Sequence, residues 1–227
     1  PTTAGTGSEV TINAVFTSKE EQKKLGINGN FLNPTYAILD AEWTLSCPFS
    51  VALSSGLDAL VHSMESFMCQ KANPLTRMYS KEGFRLIYSA LPCLVNDSQN
   101  KEMRQQLLLG SYIGVIGLFN SGSGIAGALS YPLGVHFKMP HGLAGGMFIL
   151  DVIEFNIKKG YFDFSEIYDL IEPGTGLSDE EKSWRFLEKL KGLYGELGVE
   201  YYLTPWGITE DNIEEVGKLM HPMQAAF

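Results

Sequence analysis

The residues best suited to chemistry in this chain are an aspartate and two histidines. In "SSGLDALVHSMESF" (54–67), Asp58 and His62 lie four residues apart, which stacks them on one face of a helix, and Glu65 lies on that face a turn further on. Leu57, Leu60, Val61, Met64, Phe67 and Met68 surround them, so this helix is expected to be buried, and a carboxylate and an imidazole in a dry interior need partners. They can pair with each other or with neighbouring backbone. They can also share one divalent ion, which accepts Asp oxygen and His nitrogen at this spacing. A second segment, "GIAGALSYPLGVHFKMPHGLAGG" (124–146), holds His136 and His141. His141 stands between Pro140 and Gly142 at a helix opening, where it either caps the helix or serves as a ligand. Gly142, Gly145 and Gly146 allow a close approach of another segment or a ligand. A third segment, "PTTAGTGSEV" (1–10), puts small hydroxyl residues and glycines before a strand. It is either a plain turn or a loop that wraps a phosphate or ribose with N–H groups and hydroxyls; it has neither a Walker lysine nor the GxGxxG order.

Several kinds of element must position these groups. Residues 10–17, "VTINAVFT", and 35–40, "TYAILD", read as strands joined by the polar stretch "SKEEQKKLGINGNFLNP". From there on the pattern is helical. Pro48 starts a helix, and Gly56 marks a break before the next, over about 57–70. Asn73 as cap and Pro74 in the first turn open a helix expected to end before Pro92. Further helices are expected over 101–120, which "SGSG" (121–124) punctuates, and over about 125–136, 141–157, 178–197 and 209–219. "SDEE" and "TEDN" are the start signals of the last two, "EPGTGLS" (172–178) is a loop, and His221 is a helix-end residue.

Composition narrows the field. The chain has 227 residues, 44% of them apolar and 19% charged, enough for a real core. Its 17 basic and 26 acidic residues give a formal charge of -9, a poor match to a phosphate backbone, so nucleic-acid binding is not expected. Three cysteines without a CxxC pair read as thiols of a reducing cytoplasm. No secretory leader and no bilayer-length apolar run is present, so no membrane partner is expected; the start without Met looks like a cut from something longer.

Taken together, "PTTAGTGSEVT", "GLDALVHSMES" and "LSYPLG…PHGLA", in this order and spacing, resemble the iron-containing alcohol dehydrogenase family over essentially the whole chain. The resemblance implies a mainly α fold: residues 1–45 as the tail of a Rossmann-like nucleotide-binding domain, and 46–227 as an all-helical metal and substrate domain. It implies an oxidoreductase that moves a hydride between a small alcohol, aldehyde or ketone and NAD or NADP, with Fe2+ or Zn2+ polarising the oxygen, in a cytoplasmic homodimer. Thr2, Thr3 and Thr6 then match a loop bordering the nicotinamide, Lys24 a lysine approaching the cofactor, and Asp58, His62 and His141 three metal ligands. The chain departs at the remaining ligand. The family typically reads H-A-x-x-H-P-L-G where this chain reads "GALSYPLG", so Gly127 takes the ligand position and Tyr131 that of the second histidine. Tyr131 becomes the proton relay or a filler of the imidazole's volume. A phenol titrates near ~10, so a base role needs a nearby cation, for which Lys138 is the candidate. His136 is either a substitute ligand or a surface residue. Two other readings stay open, a metal-independent reductase of the same superfamily and a non-catalytic helical scaffold or dimerisation module.

Overall fold

A computed structural model describes residues 1–18, 20 and 23–219. Among them the chain forms one antiparallel hairpin, β1 (Asn13–Ser18) and β2 (Lys23–Asn28), followed by helices α1 (Phe49–Met68), α2 (Pro74–Asn96), α3 (Lys101–Ser121), α4 (Ile125–His136), α5 (His141–Lys158), α6 (Ser165–Ile171), α7 (Asp179–Glu196) and α8 (Ile213–Leu219). The expected class, mainly helical with a short β element, is the one observed. His221 lies outside the described residues. No single helix among them is long and apolar enough to cross a membrane.

The strand expected over 35–40 is absent. β1 pairs instead with residues inside the polar connecting stretch, in the register Asn13 opposite Asn28 and Ser18 opposite Lys23. A hairpin closes its hydrogen bonds locally, whereas 35–40 meets no strand among the described residues and leaves Tyr36 and Ile38 exposed.

Two punctuation marks also proved misleading. α1 runs without a break through Gly56, where a Cβ would collide with the Leu91 side chain, so this glycine serves close packing against α2. α2 likewise continues through Pro92 to Asn96, because Leu91 and Leu94 are both buried and keep the helix on the core. Burying a leucine stabilises by about 1.5–3 kcal/mol, comparable to the ~3 kcal/mol a helical proline costs. Its start is as expected: Asn73 accepts from the Leu75 and Thr76 N–H groups, and Thr76 reciprocates. Ser178 and Glu181 form the same kind of box at α7. α6 was not foreseen.

α1 is the central helix. Leu57, Leu60, Met64 and Phe67 pack with Phe84, Ile87 and Leu91 of α2, Leu107 and Leu108 of α3, Ile149 and Ile153 of α5, and Phe186 and Leu190 of α7. α5 lies along α1 through its glycines. A Cβ on Gly142 would fall on the Ser54 carbonyl and 2.8 Å from the Asp58 Cβ, one on Gly145 would stand 3.6 Å from Val61, and one on Gly146 3.6 Å from Leu57. Tyr194 of α7 locks this arrangement by donating its buried hydroxyl to the Gly146 carbonyl at 2.8 Å. The small residues of "HGLAGG" therefore set how near His141 comes to Asp58.

Candidate functional site

The helical spacing and the glycine contact bring the two halves of the predicted cluster together. Asp58 is buried on α1, and its Oδ1 lies 3.6 Å from His62 Nε2, one turn on, and 3.7 Å from His141 Nε2, at the first residue of α5. Both gaps are too long for a hydrogen bond. Two donors each about 2.1 Å from one tetrahedral ion are about 3.4 Å apart, so the spacing is near that of ligands sharing an ion. The three are not closed around one point: among the described residues, no group of three or more His, Cys, Asp or Glu stands in ion-holding geometry. The set suits a divalent ion in donor type, but its arrangement is not that of a closed metal site.

The protonation pattern supports that fit. Ser130 Oγ lies 2.6 Å from the Gly127 carbonyl, to which it must donate, and 2.9 Å from His141 Nδ1, from which it then accepts. This fixes the proton of His141 on Nδ1 and leaves Nε2 as a bare lone pair aimed at a carboxylate oxygen. Burial lowers the His141 pKa to about 4, against the opposing charge of Asp58 and with Lys24 and His62 adding to the fall, so the ring is neutral at pH 7. Two acceptors facing each other can share a cation or a bridging water that donates to both. His62 lacks the matching support: its Nδ1 is buried without a hydrogen-bond partner.

Tyr131 of α4 lies flat on His141, with ring centroids 5.1 Å apart and planes 7° from parallel. Its phenol is pushed above its ordinary pKa by burial, then by the charges of Asp58 and Glu65. The cation beside it is Lys24, not Lys138. Lys24 reaches across from β2 and puts Nζ 4.8 Å from the Tyr131 ring centroid; burial lowers its pKa and Asp58 pulls it back up. Lys138 occupies a left-handed turn between α4 and α5 with φ 56°, and is exposed, as is His136 in the last turn of α4. His136 makes no approach to Asp58 or His62 that would replace a ligand.

Glu65 completes the neighbourhood. It is wholly buried on α1 and its Oε1 accepts the Gly127 N–H at 2.8 Å. It also lines a cleft of about 640 Å³ shared with Met68, Cys69, Gly124, Phe148 and Asn156. The sequence placed Glu65 on the Asp58–His62 face but gave no sign that it meets Gly127, nor that Ser130 orients His141.

The threonine loop folds against the same end of α1. A Cβ on Gly5 would meet Ser55 at 2.8–3.0 Å, the Gly5 carbonyl accepts from Ser111 at 3.0 Å, and Gly7, with φ 57°, abuts Val115. Thr2, Thr3 and Thr6 are exposed on this loop, and Thr6 Oγ1 takes the Ser8 N–H.

Known proteins resemble the chain over most of its length. Residues 52–226 match the model of the Fe-containing alcohol dehydrogenase family, C-terminal, and residues 1–41 match that of iron-containing alcohol dehydrogenase. The chain is 31% identical over 219 residues to long-chain-alcohol dehydrogenase 1 of Geobacillus thermodenitrificans, covering 96% of this chain and 55% of that protein. It is 29% identical over 218 residues to the NAD-dependent methanol dehydrogenase of Bacillus methanolicus, covering 96% and 57%. The chain thus spans little more than half the length of these curated relatives. Among solved structures, 1,3-propanediol oxidoreductase superposes with a TM-score of 0.92 at 27% identity, over 100% of this chain and 59% of the other. Sulfoacetaldehyde reductase from Bifidobacterium kashiwanohense, in complex with NAD+, gives 0.86 at 28% identity, over 98% and 57%.

Proposed function

The chain belongs to the iron-containing alcohol dehydrogenase family, and from that premise we propose that it forms the metal- and substrate-holding part of an oxidoreductase that moves a hydride between a small alcohol or aldehyde and NAD or NADP. In this reading residues 1–45 are the tail of the nucleotide-binding domain and 46–227 the helical domain. A homodimer and a cytoplasmic location come with it on family likeness alone.

One observation carries the proposal: two imidazoles on separate helices face a single buried carboxylate oxygen, and one of them presents a bare lone pair. Asp58, His62 and His141 would hold Fe2+ or Zn2+. Such an ion, when bound, supplies Lewis-acid polarisation of the substrate oxygen.

The chain's own residues do the rest. Ser130 keeps His141 in the tautomer that leaves Nε2 free, and Tyr131 holds the ring flat. With its pKa raised, Tyr131 stays a neutral phenol and serves as a proton donor to the oxygen of a carbonyl being reduced, rather than as a base. Lys24, with Nζ 4.8 Å from the ring centroid, would stabilise the phenolate left when that proton is given up. Thr2, Thr3 and Thr6 offer exposed hydroxyls to the cofactor beside the α1 end that carries Asp58.

The test is NADH-dependent reduction of short aldehydes by the protein carrying this chain, before and after chelation, together with anomalous scattering at the Asp58 cluster. Activity lost on chelation and a metal peak at the cluster are expected. Undiminished activity in chelated protein with an empty cluster replaces this reading by a metal-independent reductase. The lack of a donor at Gly127 and the unclosed cluster favour that second reading.

A further inference from the structure

The helix that carries Ser130 and Tyr131 begins without a cap of its own. Gly124, at the cap position of α4, has no side chain to offer, and no acidic residue stands in the first turn, so the leading N–H groups must find an acceptor elsewhere. Glu65 of α1 supplies it. This residue is wholly buried, and its Oε1 accepts the Gly127 N–H at 2.8 Å. Burial raises its pKa, and the N–H groups of Gly127, Gly124 and Ala126 oppose the rise, as expected of a carboxylate set at a helix start.

The seat leaves little play. A Cβ on Gly124 would stand 2.9 Å from Glu65 Oε1, and one on Gly127 would stand 3.0 Å from Oε2, so neither position has room for a methyl group beside this carboxylate. Gly127 also faces the other way along the helix. Its carbonyl accepts the Ser130 hydroxyl at 2.6 Å, and the Ser130 oxygen lies 2.9 Å from His141 Nδ1, whose proton it accepts. Tyr131, the next residue, lies flat on the same imidazole. Both groups that hold His141 therefore leave α4 within about one turn of the bond to Glu65.

Resting on the reading of His141 as part of the reacting centre, we propose that Glu65 is a positioning residue for it: by accepting the Gly127 N–H, Glu65 fixes the start of α4 and with it the places of Ser130 and Tyr131 against the imidazole. Glu65 touches neither substrate nor the reacting atoms. It acts through the sequence Glu65, Gly127, Ser130, His141, in which each member is held by the one before. Without the acceptor, the buried Gly127 N–H would have to seek another partner, Gly127 would shift, and the Ser130 hydroxyl would be free to turn and donate to Nδ1. His141 could then carry its proton on Nε2, the nitrogen that faces Asp58.

The test compares Glu65→Leu, which has no acceptor, with Glu65→Gln, which keeps one, in the protein carrying this chain. Ring 15N shifts of His141 are read at one neutral pH after chelation, so that no ion fixes the tautomer, and aldehyde reduction is measured on the untreated protein. Wild type and Glu65→Gln should show the single tautomer protonated on Nδ1. Glu65→Leu should show a mixture, with kcat about 10–100-fold lower and KM within about twofold. A Glu65→Leu protein that keeps the single tautomer, or the wild-type kcat, overturns the assignment, as does a Glu65→Gln protein no better than Glu65→Leu. A wild type that reduces no aldehyde overturns the hydride-transfer reading instead, and the ring shifts alone then decide the role of Glu65. Should Glu65→Leu fail to fold by circular dichroism, the wild type decides: slow amide exchange at Gly127 together with a proton on His141 Nδ1 supports the assignment, and an unprotected Gly127 amide or a proton on Nε2 overturns it.

Discussion

Asp58 Oδ1 and His141 Nε2 face each other across 3.7 Å from two helices that touch through glycine, and no hydrogen bond joins them. Ser130 holds the only ring proton of the neutral His141 on the other nitrogen. The pair sets two acceptors against each other, and its properties follow from that opposition.

Asp58→Asn removes the charge on which both imidazoles converge. Its affinity for Co2+ or Zn2+ should fall by at least about 100-fold, since loss of even an outer-shell partner typically costs 10–100-fold. Equilibrium titration with a competing chelator measures this. Affinity within a factor of two of wild type would remove Asp58 from the site.

His141 links stability to pH in a defined direction. Burial holds its folded pKa at about 4, whereas an unfolded histidine titrates near ~6.5. As pH falls below that unfolded value, the unfolded chain takes up a proton that the native chain refuses. The contribution is therefore whole above about 6.5 and is lost as pH falls to about 4. Buried Glu65 works in the opposite sense, because burial raises its pKa, so the comparison must be with His141→Gln. Melting temperatures at pH 7 and pH 5 should drop further in wild type than in that variant; parallel drops contradict the assignment.

Gly142→Ala places a methyl group against the Ser54 carbonyl and the Asp58 side chain. Neither backbone can yield without separating α5 from α1, so a loss of about 2–3 kcal/mol is expected in urea unfolding. Weaker metal binding should accompany it, because the neighbouring His141 moves with the helix start. Wild-type stability would mean that α5 does not depend on this contact.

Tyr131→Phe and Tyr131→Leu separate the two uses of that ring. Phenylalanine keeps the flat stack on His141 but has no proton to give, so aldehyde reduction should slow by about 10²–10⁴ in kcat with metal affinity unchanged. Leucine should lower both. A phenylalanine variant with wild-type kcat and pH profile assigns Tyr131 a purely positioning role.

Most of what positions the site was written locally. Asn73 with Pro74, and Ser178 with Glu181, announce helix starts by the hydrogen bonds their side chains make within one turn. The spacing of Asp58 and His62 requires only that a helix exist. Where the outcome depended on partners remote in sequence, the reading failed. Gly56 and Pro92 look like breaks until Leu91 and the core are in place, and α6 has only seven residues, too few for a periodic pattern to emerge. Lys24 displaced Lys138 as the cation at Tyr131 because the hairpin's register differs from the one expected, and that register is set by pairing rather than by composition. The meeting of Glu65 with Gly127 likewise joins two helices distant in sequence.

Ser54 and Ser55, neighbours on α1, receive two visitors: Gly142 presses on the first and Gly5 on the second. The hydroxyl-rich N-terminal loop and the histidine-bearing helix thus take their bearings from one pair of consecutive residues. Anyone transplanting this constellation into another scaffold would have to carry that serine pair with its two glycines as a unit. Moving the donors alone would leave loop and helix without a common datum.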